Sequence, residues 1–327
     1  MSHRFSERYD RATFRTARKA VPKAILARSL ATGILFLSVG LSSCSSAPKR
    51  PPEIFTNRNA AAGQIDLANR SVARGDFTNA KLFLAEAWNL AVSTDDPDTR
   101  VRVLLARGNA HYNEGSGDAA IADWNLALAE ATEAGNAALS SAARIYVARS
   151  DLIEGSGKSD PGEAERKAIA ARTLETVRRE IGKIKGNPLY TAFGWKVEGL
   201  CLKELGEWKA AESAVKKAAD IHDGSHYLED AAYDWYVIAS IRSKAGDADS
   251  ARAAMQKALA FDRRAENTNG LGMDWMALGT IEEKAGNREK ALAAYRRASD
   301  IFRSGFIEYN AKAADAKANA LEGKREN

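Results

Sequence analysis

The chain has 327 residues, of which 45% are hydrophobic and only seven are proline, a composition that suits a helix-rich folded protein. Its net charge of +5 could favour nucleic acid, but residues 1–43 hold eight basic side chains against Glu7 and Asp10. The other residues hold 40 basic and 41 acidic side chains, and so lack the positive charge that phosphate binding requires. We therefore do not expect nucleic acid as a partner.

The first predicted element is an apolar run from Ala31 to Leu41, preceded by the basic residues of the N-terminal segment. The run is far shorter than the roughly 20 residues of a membrane-spanning helix. Its length, its basic flank and the small residues after it are typical of a secretory signal, so residues 1–43 are predicted to be a signal peptide. The alternative is an uncleaved anchor in which Cys44 stays a free thiol.

The sequence Leu41-Ser42-Ser43-Cys44 resembles the lipobox of bacterial lipoproteins. This resemblance implies cleavage before Cys44 and attachment of diacylglycerol and a further acyl chain, such as palmitate, to that residue. Two or three chains hold a protein on a membrane because each buried CH₂ contributes about 0.8 kcal/mol. Residues 44–56 would then form a lipidated N-terminus and a proline-rich tether. Ser45 after Cys44 favours the outer membrane, with the folded part facing the periplasm.

Beyond the tether, six glycines recur with a period of about 40 residues, except for one longer interval in the middle. Such a period is typical of stacked helical hairpins, in which each unit has a helix A, a turn and an amphipathic helix B. The glycine would end helix A because it adopts the left-handed conformation at little steric cost. The six turn positions are Gly75, Gly115, Gly155, Gly206, Gly246 and Gly286.

The last three units share a tryptophan and a small residue on helix A, the turn glycine, and two alanines on helix B. They read Trp195…Gly199…Gly206…Ala211…Ala218, Trp235…Ala239…Gly246…Ala251…Ala258 and Trp275…Gly279…Gly286…Ala291…Ala298. This pattern resembles tetratricopeptide repeats (TPRs), and the resemblance covers about residues 57–302. It implies an all-α, TPR-type α-solenoid of about six hairpins with a period of about 40 residues, in which the tryptophans fill the space between helices A and B.

The longer interval between Gly155 and Gly206 suggests a boundary between two halves of the array. We predict units 1–3 at residues 57–185, with an insertion at residues 156–161, and units 4–6 at residues 186–303. The period is about six residues longer than that of a common TPR, which predicts longer helices or longer connectors between helix B and the next helix A. Residues 304–327 are predicted to be a C-terminal capping helix and tail.

Candidate catalytic or metal-binding groups are few. Residues 155–159 (GSGKS) lack both the first glycine and the preceding strand of a phosphate-binding loop, so we interpret them as a flexible insertion. His222 and His226 have the spacing of two metal ligands on a helix, but residues 223–225 predict a turn between them. Cys201 is interpreted as a buried thiol. We therefore expect no enzyme, no cofactor and no bound metal.

The remaining candidate site is the concave surface of the array. By the TPR resemblance it is lined by helix A residues, and its aromatic and methionine content suits a protein or peptide partner. Lys196 is followed by Leu200, not by the asparagine of a carboxylate clamp. We expect a scaffold or adaptor; the alternative is a ligand-binding accessory protein of a periplasmic transport system. The predicted contact residues are Tyr112, Phe193, Lys196, Tyr233, Tyr236, Met273 and Met276.

Overall fold

The computed structural model describes residues 55–154, 162–184 and 186–323, which form thirteen α-helices and no strand. Consecutive helices pair as six hairpins, with a thirteenth helix packed on the last one, and this confirms the predicted TPR-type solenoid. The helices are α1 (Thr56–Ala73), α2 (Phe77–Ser93), α3 (Pro97–Glu114), α4 (Gly117–Glu133), α5 (Ala137–Glu154), α6 (Glu163–Ile181), α7 (Pro188–Glu204), α8 (Trp208–Gly224), α9 (Leu228–Lys244), α10 (Ala248–Arg264), α11 (Thr268–Lys284), α12 (Arg288–Ser304) and α13 (Glu308–Gly323).

The long repeat period comes from long helices and not from long connectors. Helices α8 to α11 each have 17 residues, and the turns between them, such as 245–247 and 265–267, are short. Residues 260–270, which could have been a long connector, lie mostly in α10 and α11. The longer helices enlarge the apolar face that each hairpin buries against its neighbours.

Left-handed backbone occurs both in the turns within hairpins and in the turns that join one hairpin to the next. The five described glycines that end a helix A have φ between +76° and +94°, as predicted for their role; Gly155 lies outside the described residues. The turns that join one hairpin to the next also have a positive φ, at Gly135 and Gly186 and at four residues with side chains. No glycine marks these four turn positions in the sequence, because they are Asp95, His226, Glu266 and Phe306.

Within a hairpin, a glycine on helix A receives a larger side chain from helix B. A Cβ added at Gly199 would lie 2.3 Å from Val215 Cγ2, and one added at Gly279 would lie 2.5 Å from the Tyr295 ring. These contacts explain the glycines at positions 199 and 279, since the missing Cβ makes room for the side chain from helix B. Side chains from helix B therefore fill the closest part of the interface.

The three predicted tryptophans pack on the core nearer its edge. Trp235 is buried, whereas Trp195 and Trp275 are partly exposed. Each ring is covered by a cation from helix B of its own hairpin, at the same position of the repeat in all three units. Lys217 Nζ lies 3.7 Å from the ring centroid of Trp195, and Lys257 Nζ lies 3.9 Å from that of Trp235. Arg297 Cζ lies 4.4 Å from the ring centroid of Trp275.

The largest core cluster is continuous from Val101 in α3 to Ile281 in α11. It crosses the predicted boundary at residues 185 and 186, so that boundary separates groups of repeats and not separate cores. Helix α13 covers the last hairpin: Ala311 and Ala314 pack with Phe302, and Leu321 packs with Tyr295. No helix within the described ranges has both the length and the hydropathy of a membrane span.

Candidate functional site: a central cavity

The A helices of all six hairpins contribute to the wall of one cavity of about 570 Å³. The cavity exists because the solenoid curves until its first hairpin meets its last ones. Arg74 Nη2 at the end of α1 donates to the Ala265 carbonyl at 3.3 Å and lies 3.8 Å from Glu229 Oε1. Asn269 Nδ2 on α11 donates to the Ala73 carbonyl at 3.4 Å. These contacts join the two ends of the array and close one side of the cavity.

One wall of the cavity is aromatic and carries a cation. Tyr146 on α5 stacks on Phe193 on α7 with centroids 3.9 Å apart. The Arg149 guanidinium carbon lies 4.5 Å from the Tyr112 ring centroid and 5.4 Å from that of Phe193. Asn109 Nδ2 donates to Tyr146 Oη at 3.2 Å, and burial raises the pKa of Tyr146 to about 12. Because Arg149 makes no ion pair within the described ranges, its guanidinium can hydrogen-bond a ligand.

A second region, on α7, α8 and α9, holds a buried network of charges. Lys196 Nζ lies 3.1 Å from Asp234 Oδ1 and 3.5 Å from Asp230 Oδ1, and His222 Nδ1 donates to Asp234 Oδ2 at 2.7 Å. Burial lowers the pKa of Lys196, but the carboxylates of Asp234 and Asp230 outweigh it, so the pKa is raised. Lys196 is only 8% exposed, and its charge is already balanced inside the protein.

A third region, at the junction of α10 and α11, is acidic. Asp262 and Asp274 are 3% and 2% exposed, and both line the cavity. Asp262 Oδ1 accepts from Asn267 Nδ2 at 2.9 Å, whereas Asp274 Oδ2 has no hydrogen-bond partner among the described residues. Burial raises the pKa of Asp262 to about 7, and burial together with the nearby Asp262 raises that of Asp274 to about 9.

The cavity brings together six of the seven predicted contact residues. Tyr233 and Met273 are 49% and 41% exposed, so both present apolar surface. Met276 does not line the cavity, because it is directed into the hairpin, where it packs with Tyr295 and Phe302. The six residues that do line it are Tyr112, Phe193, Lys196, Tyr233, Tyr236 and Met273.

The other candidate residues are placed as follows. His222 is buried and bonded to Asp234, whereas His226 lies in the following turn, so the two imidazoles do not share a helix face. No group of three or more potential metal ligands occurs in the part of the chain that the structure describes. Cys201 is a buried free thiol whose pKa burial raises to about 12. Cys44 lies outside the described residues.

Four further lining residues, Tyr146, Arg149, Asp262 and Asp274, are not among the contact residues predicted from the sequence. Tyr146 and Arg149 belong to the third unit, whose register is hidden by the longer interval before Gly206. Asp262 and Asp274 could have been found, because they follow His222 and Asp234 by one repeat period and so occupy equivalent positions of the repeat.

Comparisons with known proteins give one matching family model and a set of similar solved structures. A family model described as tetratricopeptide repeat matches residues 235–264. The crystal structure of the apo form of RapI is similar with a TM-score of 0.53 and 12% identity, over 81% of this chain and 72% of that one. The structure of a Rap protein complexed with competence and sporulation factor has a TM-score of 0.49 and 14% identity. The match covers 83% of this chain and 77% of that one. The structure of BtubC from P. vanneervenii has a TM-score of 0.47 and 19% identity, and the match covers 75% of this chain and 92% of that one.

At these identities the similar structures bear on the fold alone. The chain contains a tetratricopeptide repeat and has a TPR-type fold, which is consistent with protein–protein interaction. Curated protein sequences give no match.

Proposed function

We propose that this protein is a binding protein and not an enzyme, and that it holds a short segment of a partner protein in the central cavity. The observation that carries this proposal is the cavity of about 570 Å³ enclosed by the six A helices. Binding sites for drug-sized ligands have volumes of about 300–1,000 Å³. The protein would act as a scaffold or adaptor for that partner.

The chemistry of the wall favours a peptide. Tyr233 and Met273 expose apolar surface for the side chains of a ligand, whereas Asn109 and the Arg149 guanidinium can hydrogen-bond its main chain. Peptide-binding grooves generally combine apolar anchor points with polar groups that fix the main chain. Lys196 would support the wall, because Asp234 and Asp230 already balance its charge.

Photo-crosslinking in cells tests this proposal. The crosslinking amino acid p-benzoylphenylalanine is placed at Tyr233 in the cavity and, as a matched control, at Leu82, which is exposed on α2. We expect a defined protein adduct from position 233 and none of that mass from position 82. Adding Arg149→Ala should reduce the yield at position 233 about tenfold, because the guanidinium is lost. Equal adducts from both positions would contradict binding in the cavity.

The closed shape supports a second candidate, a carrier of a small ligand that serves a transport system. The contacts of Arg74 with Ala265 and Glu229 restrict one side of the cavity, and a small molecule passes such an opening more easily than a protein segment. Native mass spectrometry separates the two proposals. A small molecule that co-purifies, and is lost on replacing Tyr236 by Ala, would favour the carrier when position 233 gives no protein adduct.

We further propose that Cys44 anchors the protein by lipid to the bacterial cell envelope, at the outer membrane and facing the periplasm. The lipobox resemblance and the signal-like residues before it support this location. Metabolic labelling with a fatty acid should mark the wild-type protein and not Cys44→Ala, which should leave the membrane fraction. Cys201→Ala is the matched control and should keep both the label and the membrane association.

A further inference from the structure

At the acidic junction of α10 and α11, a buried carboxyl group lacks the partners that its counterpart has in the previous repeat. Asp234 on α9 is bonded to His222 and paired with Lys196. One repeat later, the positions of His222 and Asp234 are occupied by Asp262 and Asp274, so an acid replaces the imidazole. The position of Lys196 is occupied by Tyr236. The second junction therefore keeps the carboxyl group of Asp274 and loses both of its partners, the imidazole and the lysine ammonium.

The repeat itself does not require polar groups at these two positions. In the next repeat along the chain they are occupied by Phe302 and Ala314, which pack together in an apolar cluster. A buried carboxylate without a partner is costly to the fold. Asp274 thus lies without a partner at a position where an apolar residue fits, and buried titratable groups of this kind are found at functional sites.

The unpartnered carboxyl oxygen belongs to a residue that lines the cavity. Asp274 is 2% exposed, lines the cavity, and its Oδ2 atom has no partner among the described residues. Asp262 lies beside it and offers a second acceptor. Two carboxylates are fewer ligands than calcium or zinc sites in proteins use, but they match an ammonium group, which has three hydrogen-bond donors.

We propose that Asp262 and Asp274 form an acidic subsite of the central cavity that binds a protonated primary amine of the ligand. The inference rests on the proposed peptide-binding function and names one group that the peptide carries, either its amino terminus or a lysine side chain. The ammonium of the ligand takes the role that the Lys196 ammonium has in the preceding repeat. Arg149, on the aromatic wall, gives the cavity a cationic side as well as this acidic one.

The first test compares two probes of equal shape by isothermal titration calorimetry on the full chain. 2-Phenylethylamine carries the ammonium next to an aromatic ring, and 2-phenylethanol replaces it by a neutral hydroxyl. We expect the amine to bind at least about tenfold more tightly, the advantage of one charge-assisted pair. Asp274→Asn should remove this difference, whereas Asp300→Asn, the same change at an exposed position on α12, should keep it.

A second readout is proton release. The raised pKa of Asp274 means that it is protonated at pH 7, so binding of an ammonium should release about one proton, seen as a dependence of the heat on the buffer. The charged groups that act on Asp274 are Asp262 and Arg263, and Glu229 acts on Asp262. Equal affinities for the two probes, or an amine preference that survives in Asp274→Asn, would overturn the proposal.

Peptide probes then identify the source of the amine and separate this inference from the proposed function. The peptide Phe-Ala-Lys-Phe is compared with its N-acetylated form and with the form that has norleucine in place of lysine. Loss of binding on acetylation assigns the subsite to the amino terminus, and loss with norleucine assigns it to lysine. Binding of all three forms with equal affinity supports the peptide-binding function and overturns the amine subsite. Binding of phenylethylamine alone, with no peptide, supports the subsite and contradicts the peptide-binding function.

Discussion

His222 and Asp234, at the junction of α8 and α9, occupy the positions that Asp262 and Asp274 occupy at the junction of α10 and α11, one repeat later. In the first pair the carboxylate is bonded to an imidazole and lies 3.1 Å from Lys196 Nζ. In the second pair both groups are acids, and Asp274 Oδ2 has no partner among the described residues. The repeat thus determines where a buried carboxylate lies, whereas its neighbours decide whether it stabilises the fold or is available to a ligand.

The greatest change in stability should come from breaking the first pair. Asp234→Asn removes the charge that balances Lys196 and replaces the acceptor of the His222 hydrogen bond. We expect the free energy of unfolding to fall by about 3–5 kcal/mol, because the buried Lys196 ammonium loses the nearer of its two carboxylates. Urea unfolding followed by circular dichroism measures this, with Asp300→Asn as a control that changes stability by less than about 0.5 kcal/mol.

The same substitution in the second pair should have the opposite sign. Burial raises the pKa of Asp262 to about 7 and that of Asp274 to about 9, above the ordinary value of 3.8. Both groups therefore hold their protons more tightly in the folded protein, and stability falls as the pH rises from about 4 to about 9. Asp274→Asn should raise the free energy of unfolding by about 2–4 kcal/mol at pH 8 and by little at pH 5.

Unfolding of wild type and Asp274→Asn at pH 5, 7 and 8 checks this prediction. The stability of the wild type should decline over that range, whereas the curve of the variant should be flatter. An equal loss of stability at all three pH values would show that Asp274 supports the fold through contacts that do not depend on its protonation.

Converting the second pair into the first tests the equivalence of the two junctions directly. Asp262→His places an imidazole opposite Asp274, as His222 is placed opposite Asp234. We expect the free energy of unfolding to rise by about 1–3 kcal/mol at pH 7, the range of hydrogen bonds to charged groups. The variant should also lose the preference for 2-phenylethylamine, since the imidazole now occupies the acidic subsite. Retention of amine binding together with greater stability would contradict the equivalence of the two positions.

A smaller change is expected in the two turns that lie between the members of each pair. His226 and Glu266 have φ values of +59° and +52°, a conformation that costs residues with a Cβ about 1–2 kcal/mol. Replacement by glycine removes this cost, but part of the gain is offset because glycine loses more conformational entropy on folding. We expect His226→Gly and Glu266→Gly each to stabilise by about 0.5 kcal/mol, measured by urea unfolding. A gain in only one of them would mean that the other side chain makes a stabilising contact.

Much of the repeat architecture could be predicted from the sequence, because it depends on local chemistry. Glycines such as Gly206 and Gly246 mark the turns, since few other residues adopt their backbone conformation cheaply. Gly279 marks a close helix contact for a similar reason. Tyr146 and Arg149 were missed because the irregular spacing hid the third unit, and Met276 was placed on the concave surface although it packs inside its hairpin.

The all-helical array, its repeat period, its helix A turns and the helix positions of six cavity residues follow from the sequence alone, because residue spacing along each helix encodes them. Only the tertiary structure decided that the array closes into a cavity. Small rotations between successive hairpins add up until Arg74 meets Ala265, a contact that no local pattern encodes. The packing of neighbouring hairpins decides that Lys196 is balanced by Asp234 and Asp230, while Asp274 lines the cavity and its Oδ2 atom has no partner among the described residues.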